Sequence, residues 1–279
     1  MQTTTSMPTV GAFTTEQVTA QLRASAARFV TLIEHITDES AVSAHIPDWT
    51  AAEIVRHVTA LPDYYLEIAG GDADLITRAV DMGDKNIENM RRVEDLDLRA
   101  CGEAIVAGID AFCTQVEADA ERVVAFQAGS RPRLVEVAAI AVGEYEIHGL
   151  DLAAAVRKPW RLVDDAAAMA IMGALPAAGA QWLDPATAAG HTGRYRINLR
   201  GGRGHLHITF DDGDASIHGS PDPRAAASAS TLITADPAAM LRVFYRRQSQ
   251  WGAVVKGQIA SYGTRPIRAL TLKDKFLPI

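Results

Sequence analysis

The stretch "VGEYEIHGLD", residues 142–151, places Glu144 and His148 four residues apart, with Asp151 three further on. On a helix, residues i and i+4 share one face, so carboxylate and imidazole reach one point beside it. Such a pair alone is also satisfied by a simple Glu–His hydrogen bond. A third ligand changes its meaning. His57 lies beside Val55 and Val58 on a helix whose apolar face must pack inward. His57, Glu144 and His148 together read as three ligands meeting inside a helical bundle, where facing helices build metal sites in this way. Two histidines and one carboxylate suit zinc with a fourth position open for water or substrate. The same set holds iron(II) or another divalent metal. With two cysteines and no evident redox partner, zinc is the expected ion. Asp151, one turn after His148, reads as an orienting partner for the imidazole or as a base. Its other reading is a surface residue at a helix C-terminus, where a negative charge is unfavourable.

The elements that must position these residues are mostly helical in the first half. Residues 14–36 carry Val18, Leu22, Ala26, Phe29, Leu32 and Ile33 at helical spacing, and Thr14 with Gln17 fits a capping box. Thr50 with Glu53 forms a second box, and Trp49 with Ile54 fits a hydrophobic staple. Residues 70–84 read as a loop around a short helical piece. A third long helix is expected at about 97–120 and a fourth from about Pro132 to Arg157, ended by Pro159. A further helix at about 164–183 is kinked or divided by "LPAAGA". After residue 185 the period becomes two. "GRYRINLRGGRGHLHITFDDGDASIHGS" alternates polar and apolar residues, with "GGRG" and "DDGD" as turns. "TLITAD" adds a strand, "DPAAMLRVFYRRQ" a helix, and a last strand at 253–260 precedes a short C-terminal helix. The fold class is therefore α+β in two domains. A helical bundle spans 14–184, and a small α+β domain spans 188–279.

Composition excludes several classes. The 279 residues are 48% hydrophobic and 22% charged, with a net charge of −7. An acidic chain is not a general nucleic-acid binder. No apolar run is long enough to span a bilayer, so no membrane partner is expected. "MQTTTSMPTVGAFTT" lacks the basic and apolar regions of a secretory signal. Cys101 and Cys113 lie about 18 Å apart on one helix, far beyond the roughly 7 Å a disulfide allows. They read as small core residues, and the expected compartment is cytoplasmic.

"IPDWTAAEIVRHV" followed far downstream by "EYEIHGLDLAAA" resembles the mycothiol-dependent maleylpyruvate isomerase family of the DinB-like superfamily. The resemblance covers most of residues 14–279. It implies a DinB-like four-helix bundle with zinc on His57, Glu144 and His148, and Asp151 beside them. It also implies a C-terminal domain related to sterol-carrier-type domains. The family often ends its penultimate helix in a Gly-Arg pair. Here "FYRRQ" places Arg247 at the arginine and Arg246 where glycine is expected. Arg247 is thus the implied catalytic arginine, and Arg246 a cofactor-binding candidate.

The chemistry implied is thiol-based. The metal stabilises the thiolate of mycothiol, since a coordinated thiol is deprotonated. Addition to a double bond, rotation and thiol loss would isomerise cis to trans. With a leaving group the same site gives S-transfer or thiol exchange, as in natural-product pathways. The expected partners are a small electrophilic substrate and a low-molecular-weight thiol. Two other classes stand beside this one: a lipid or hydrophobic-ligand binder acting through the C-terminal domain, and a thiol-independent metal hydrolase. His191, His205, His207 and His218 read as a solvated sheet face rather than a second metal site. "YRRQSQ" reads as an anion site or a solvated helix end.

Overall fold

Capping signals start the first two helices where the sequence places them. In the computed structural model, which describes residues 9–222 and 229–277, α1 (Thr15–Ile33) opens on a complete Thr14–Gln17 box and α2 (Ala51–Gly70) on a complete Thr50–Glu53 box. Residues 1–8, which begin the stretch read as lacking a secretory signal, lie outside the described residues, as do 223–228. Helix α2 ends at Gly71, whose φ of +87° is the left-handed conformation that glycine adopts at no steric cost.

Four long helices form the bundle. With α1 and α2 these are α4 (Leu98–Ala118) and α5 (Leu134–Ala155); α1 and α2 each pack on both α4 and α5. The fourth long helix starts after Pro132, not at it. Pro132 accepts a backbone bond from Val124, and the Glu136 carboxylate instead caps the Arg133 N–H at 2.8 Å. Pro62 inside α2 is accommodated because Gly108 of α4 faces it; a Cβ at Gly108 would sit 2.5 Å from the Pro62 side chain.

One helix has no counterpart in the sequence reading. Residues 82–91 form α3 (Met82–Arg91), a full helix where the sequence reading has only the end of a loop around a short helical piece and an unassigned stretch. "MGDKNIENMR" has too few apolar residues to declare a period. It is held by packing on α2 and by Lys85, which bonds Asp74 at 2.7 Å and Glu88 at 3.0 Å.

Helix α6 (Asp164–Ala178) lies along α5 and carries the chain to the second domain, ending in a 3₁₀ turn, Gly179–Trp182, just after Pro176. The α5–α6 seam is tight because small residues face each other. A Cβ on Gly173 would lie 2.7 Å from Ala139, and one on Gly143 would lie 2.9 Å from Ala170.

After the short α7 (Pro185–Ala188) comes a five-stranded sheet. Its strands are β1 (Gly193–Leu199), β2 (Gly204–Asp211), β3 (Asp214–Ser220), β4 (Thr231–Ala235) and β5 (Ile259–Gly263), in the order β3-β2-β1-β4-β5. All pairs are antiparallel except β1–β4. Alternation turns Tyr195, Ile197, Leu199, Leu206, Ile208 and Phe210 into the core. Two further helices, α8 (Pro237–Phe244) and α9 (Gln250–Val255), lie between β4 and β5. The expected last strand at 253–260 is thus corrected: "GAVV" is the end of α9 and the strand begins at Ile259. Short apolar runs fit either state, and packing decides. The C-terminal helix is two 3₁₀ turns, Pro266–Thr271 and Lys273–Lys275. Helix α6 joins the domains by touching β2, β3 and α8, and Asp165 at its start pairs with Arg203 at 2.5 Å.

A buried charge locks α1 to α5. Glu146 is fully buried and accepts from Ser25 Oγ at 2.7 Å and Arg28 Nη1 at 2.9 Å. Arg28 also lies 4.1 Å over the Trp160 ring, and Trp160 donates its indole N–H to the Glu146 carbonyl at 3.1 Å. That ring lies close against Gly149, where a Cβ would fall 2.2 Å from it. Gly149→Ala is therefore expected to lower stability by about 1–3 kcal/mol, the usual cost of overpacking. A denaturant midpoint unchanged from the parent would mean that Trp160 is free to move.

Candidate metal centre

The capped start of α2 fixes its rotation, which turns His57 inward beside α5. Helix α5 presents Glu144 and His148 on the facing side. Ligand atoms of His57, Glu144 and His148 all lie within 4.8 Å of one another. Glu144 Oε2 is 3.4 Å from His148 Nε2 and 3.7 Å from His57 Nε2, and the imidazole centroids are 4.7 Å apart. Donors around a tetrahedral zinc at about 2.0–2.1 Å stand roughly 3.3–3.5 Å from each other. The three side chains fit that geometry with small movements, and their donor set is one that zinc takes.

Trp49 covers this group. It stacks on His148, with centroids 5.9 Å apart and planes within 6°, and meets His57 edge-on at 5.1 Å. The residue before the helix cap thus lies against both imidazoles.

Asp151 is fully buried, not a surface residue. Its Oδ2 is 3.2 Å from His148 Nδ1, which leaves Nε2 of that ring turned toward Glu144. Arg247, from the turn after α8, grips the same carboxylate bidentately, Nε to Oδ1 and Nη2 to Oδ2, each at 2.9 Å. Its Nη1 donates to the Tyr245 carbonyl at 2.6 Å. The Tyr245 hydroxyl donates to Glu144 Oε1 at 3.2 Å, leaving Oε2 to the two imidazoles. Two links from the C-terminal domain therefore reach the centre, one through Asp151 and one directly.

The proton balance follows from these contacts. Burial alone would push the Glu144 carboxyl up, but His148 and His57 beside it hold it well below the usual carboxylate range. Burial lowers His57, only partly offset by Glu144. Burial also opposes charge on His148, yet Asp151 and Glu144 lift it to about 9. For Asp151, burial is outweighed by His148 and Arg247, so its carboxyl is lowered.

Among the residues expected to act, His57, Glu144, His148, Asp151 and Arg247 come together. Arg246 does not join them. It is exposed at the edge of the adjoining cavity, and its φ of +58° is the left-handed conformation that explains a glycine preference there. Tyr245 was not legible as a site residue: a tyrosine beside two arginines carries no signal of its own. The four histidines of the second domain stay apart from the centre. His207 pairs in register with His218 on the sheet, and His191 meets the Tyr195 hydroxyl at 2.8 Å. Cys101 and Cys113 are buried free thiols on α4. Burial pushes Cys113 up to about 12, which makes it a poor nucleophile.

Asp151 is 0% exposed and Arg247 10%, so the pair sits where solvent screens little. Removing one partner strands the other. Arg247→Ala is expected to destabilise the fold by about 3–5 kcal/mol, read from denaturant unfolding. A loss below about 1 kcal/mol would mean that Asp151 finds water instead.

Residues 19–153, the span carrying His57, Glu144, His148 and Asp151, match the family model described as the mycothiol maleylpyruvate isomerase N-terminal domain. No curated protein matches the chain. Among solved structures, the crystal structure of the mycothiol-dependent maleylpyruvate isomerase is similar at 13% identity, covering 91% of this chain and 95% of its own, with a TM-score of 0.54. That likeness is one of fold. A mutant of that enzyme aligns over the same shares, 91% and 95%, at 14% identity and a TM-score of 0.49. A sec-alkylsulfatase from Pseudomonas sp. aligns over 72% of this chain and 28% of its own at 15% identity, with a TM-score of 0.31 that carries no weight. The helical part of the chain, residues 19–153, belongs to the mycothiol maleylpyruvate isomerase N-terminal domain family.

Proposed function

We propose that the chain is a zinc-dependent enzyme that uses mycothiol on a small electrophilic molecule, isomerising a double bond from cis to trans. The observation that carries this reading is the convergence of His57, Glu144 and His148 on the wall of a cavity of about 370 Å³ between the bundle and the second domain. Bound there, zinc would hold the thiol of mycothiol as a thiolate, the nucleophile that adds to an electrophilic carbon and leaves again. The rest is the work of the chain. His57 and His148 offer neutral nitrogens once His148 gives up its proton. Asp151 keeps the His148 ring in one orientation, and Arg247 keeps Asp151 ionised. Tyr245 engages one oxygen of Glu144, so that the carboxylate offers the other. Trp49 covers the two imidazoles on one side. Arg247 acts here as a positioning residue, and Arg246 at the cavity edge is the cation left to meet a thiol cofactor or substrate anion.

The same reading places domain boundaries at 14–184 and 188–279, with the second domain of sterol-carrier type and the protein cytoplasmic. In support, α7 and the turns around it separate helices from sheet, and no helix of the described residues is long and apolar enough to cross a membrane. S-transfer would use the same residues and differ only in whether the thiol stays on the product.

The test is metal analysis with thiol-dependent turnover. His57→Ala, Glu144→Ala and His148→Ala should each lose most of the zinc, because three ligands leave no redundancy. Asp151→Asn should weaken zinc affinity or turnover by about 10–100-fold. Equal metal in parent and variants would put the ion elsewhere, and turnover of a cis-unsaturated keto acid without mycothiol would point to hydrolysis.

Metal affinity should also depend on pH in one direction. Glu144 is already ionised and His57 already neutral near pH 7, so His148, at about 9, is the proton the metal must displace. Affinity for zinc is expected to rise up to roughly tenfold per pH unit below that value, with about one proton released. Calorimetry in buffers of different ionisation enthalpy measures this. No proton release at pH 7 would mean that His148 is neutral in the free protein.

A further inference from the structure

The cavity beside the triad is lined unevenly. Its bundle side offers rings and aliphatic groups, with Trp49, Tyr65, Phe126 and Leu175 among them. Outside the triad, that side brings no charged side chain to the cavity. The cations of the lining are Arg246, Arg247 and Lys273, and all three come from the second domain. Arg247 is fully engaged, with Nε and Nη2 on Asp151 and Nη1 on the Tyr245 carbonyl. Lys273 pairs with its neighbour Asp274 at 2.5 Å. Arg246 stands exposed at the edge, and its side chain makes no hydrogen bond or ion pair among the described residues.

The backbone at this arginine is a separate observation. Arg246 has a φ of +58°, a conformation that glycine adopts freely and that costs any residue with a Cβ. A glycine would turn the chain between Tyr245 and Arg247 as well, and more easily. The long charged side chain is therefore not needed for the turn, and it holds no neighbour in place. Non-glycine residues kept in this region cluster at ligand clamps and active sites, where the strain accompanies a task. The task open to Arg246 is to meet an anion at the cavity edge, since guanidinium matches a carboxylate bidentately.

We propose that the electrophile taken by this site has an apolar body, ring-sized or branched, and a carboxylate that Arg246 meets at the cavity edge. This rests on the reading that the cavity is where electrophile and thiol meet. The body lies against the bundle-side wall, where removal of apolar surface from water supplies most of the affinity. The carboxylate stays on the second-domain side. Water still reaches Arg246 there, so the pair forms without the full cost of burying two ions. A volume of about 370 Å³ falls in the usual range for small-molecule sites. Arg246 is thus a specificity-determining residue, and its neighbour Arg247 a positioning one.

The test is calorimetric binding of three unreactive probes to the purified protein: propionate, 3-phenylpropionate and 3-phenylpropan-1-ol. 3-Phenylpropionate should bind at least roughly tenfold more tightly than propionate, the worth of burying its ring. It should exceed the alcohol by roughly two- to fivefold, the modest worth of an exposed ion pair. That margin should shrink as salt is raised. Arg246→Gly should erase the margin and leave the affinity for the alcohol unchanged, and Arg246→Lys should keep most of it. Because glycine suits the backbone there, Arg246→Gly should keep or raise the denaturant midpoint. A lowered midpoint would mean that the side chain serves the fold and would overturn the proposal. Equal binding of propionate and 3-phenylpropionate would overturn it too, as would a carboxylate margin that survives in Arg246→Gly, which would put the carboxylate on the triad instead. Zinc content and thiol-dependent turnover of the same preparation report on the functional reading separately. Protein without metal or thiol dependence would sink that reading, and this proposal with it, whatever the probe ranking. Protein with both that fails the probe series would sink only the substrate class.

Discussion

Everything in this structure is arranged around a carboxylate held between two imidazoles on the wall of a largely apolar cavity. Glu144 sits among aromatic and aliphatic side chains, where a lone charge would neutralise itself. It stays ionised because His57 and His148 reach it from two helices. That demand fixes the rotation of α2 and of α5. It also places Trp49, whose ring lies against both imidazoles. The capping box at Thr50 is then a functional device as much as a structural one, because a helix started one residue away would turn His57 by about 100°.

What was legible in the sequence follows from how local each signal is. The capping boxes, the ExxxH spacing and the switch from period 3.6 to period 2 are written within a few neighbouring residues, and all three appear where expected. The triad itself needed one more step, the assumption that two apolar helix faces meet. Helix α3 escaped because its stability comes from lysine–carboxylate bonds and from packing on α2 rather than from a stripe of its own. The α9 and β5 boundary escaped because four apolar residues fit either conformation. Asp151 was legible as a partner of His148, but its full burial depends on Arg247, ninety-six positions away. Tyr245 depends in the same way on a contact with Glu144 that no spacing announces.

The two domains contribute unlike things to the site. The bundle supplies the ligating atoms from rigid helices, where packing holds rotamers in place. The second domain supplies a turn rather than a helix, with Tyr245, Arg246 and Arg247 in sequence and the middle residue in a left-handed conformation. That conformation costs a non-glycine residue about 1–2 kcal/mol. It reverses the chain so that the residues on either side both point to the bundle, one to Glu144 and one to Asp151. Arg246 is left exposed at the cavity edge, which is why two adjacent arginines have such different surroundings.

The bidentate grip of Arg247 on Asp151 also bears on how the molecule comes into being. Chains emerge from the ribosome N-terminus first, and domains tend to fold as they appear. When α5 packs into the bundle, Asp151 stands beside His148, and the arginine that completes its burial has yet to be made. For that interval the carboxylate has the imidazoles of the bundle near it but not the guanidinium. The last hundred residues therefore finish the first domain as well as forming the second. The order of synthesis gives this protein a nascent state whose most reactive cluster is also its least settled part.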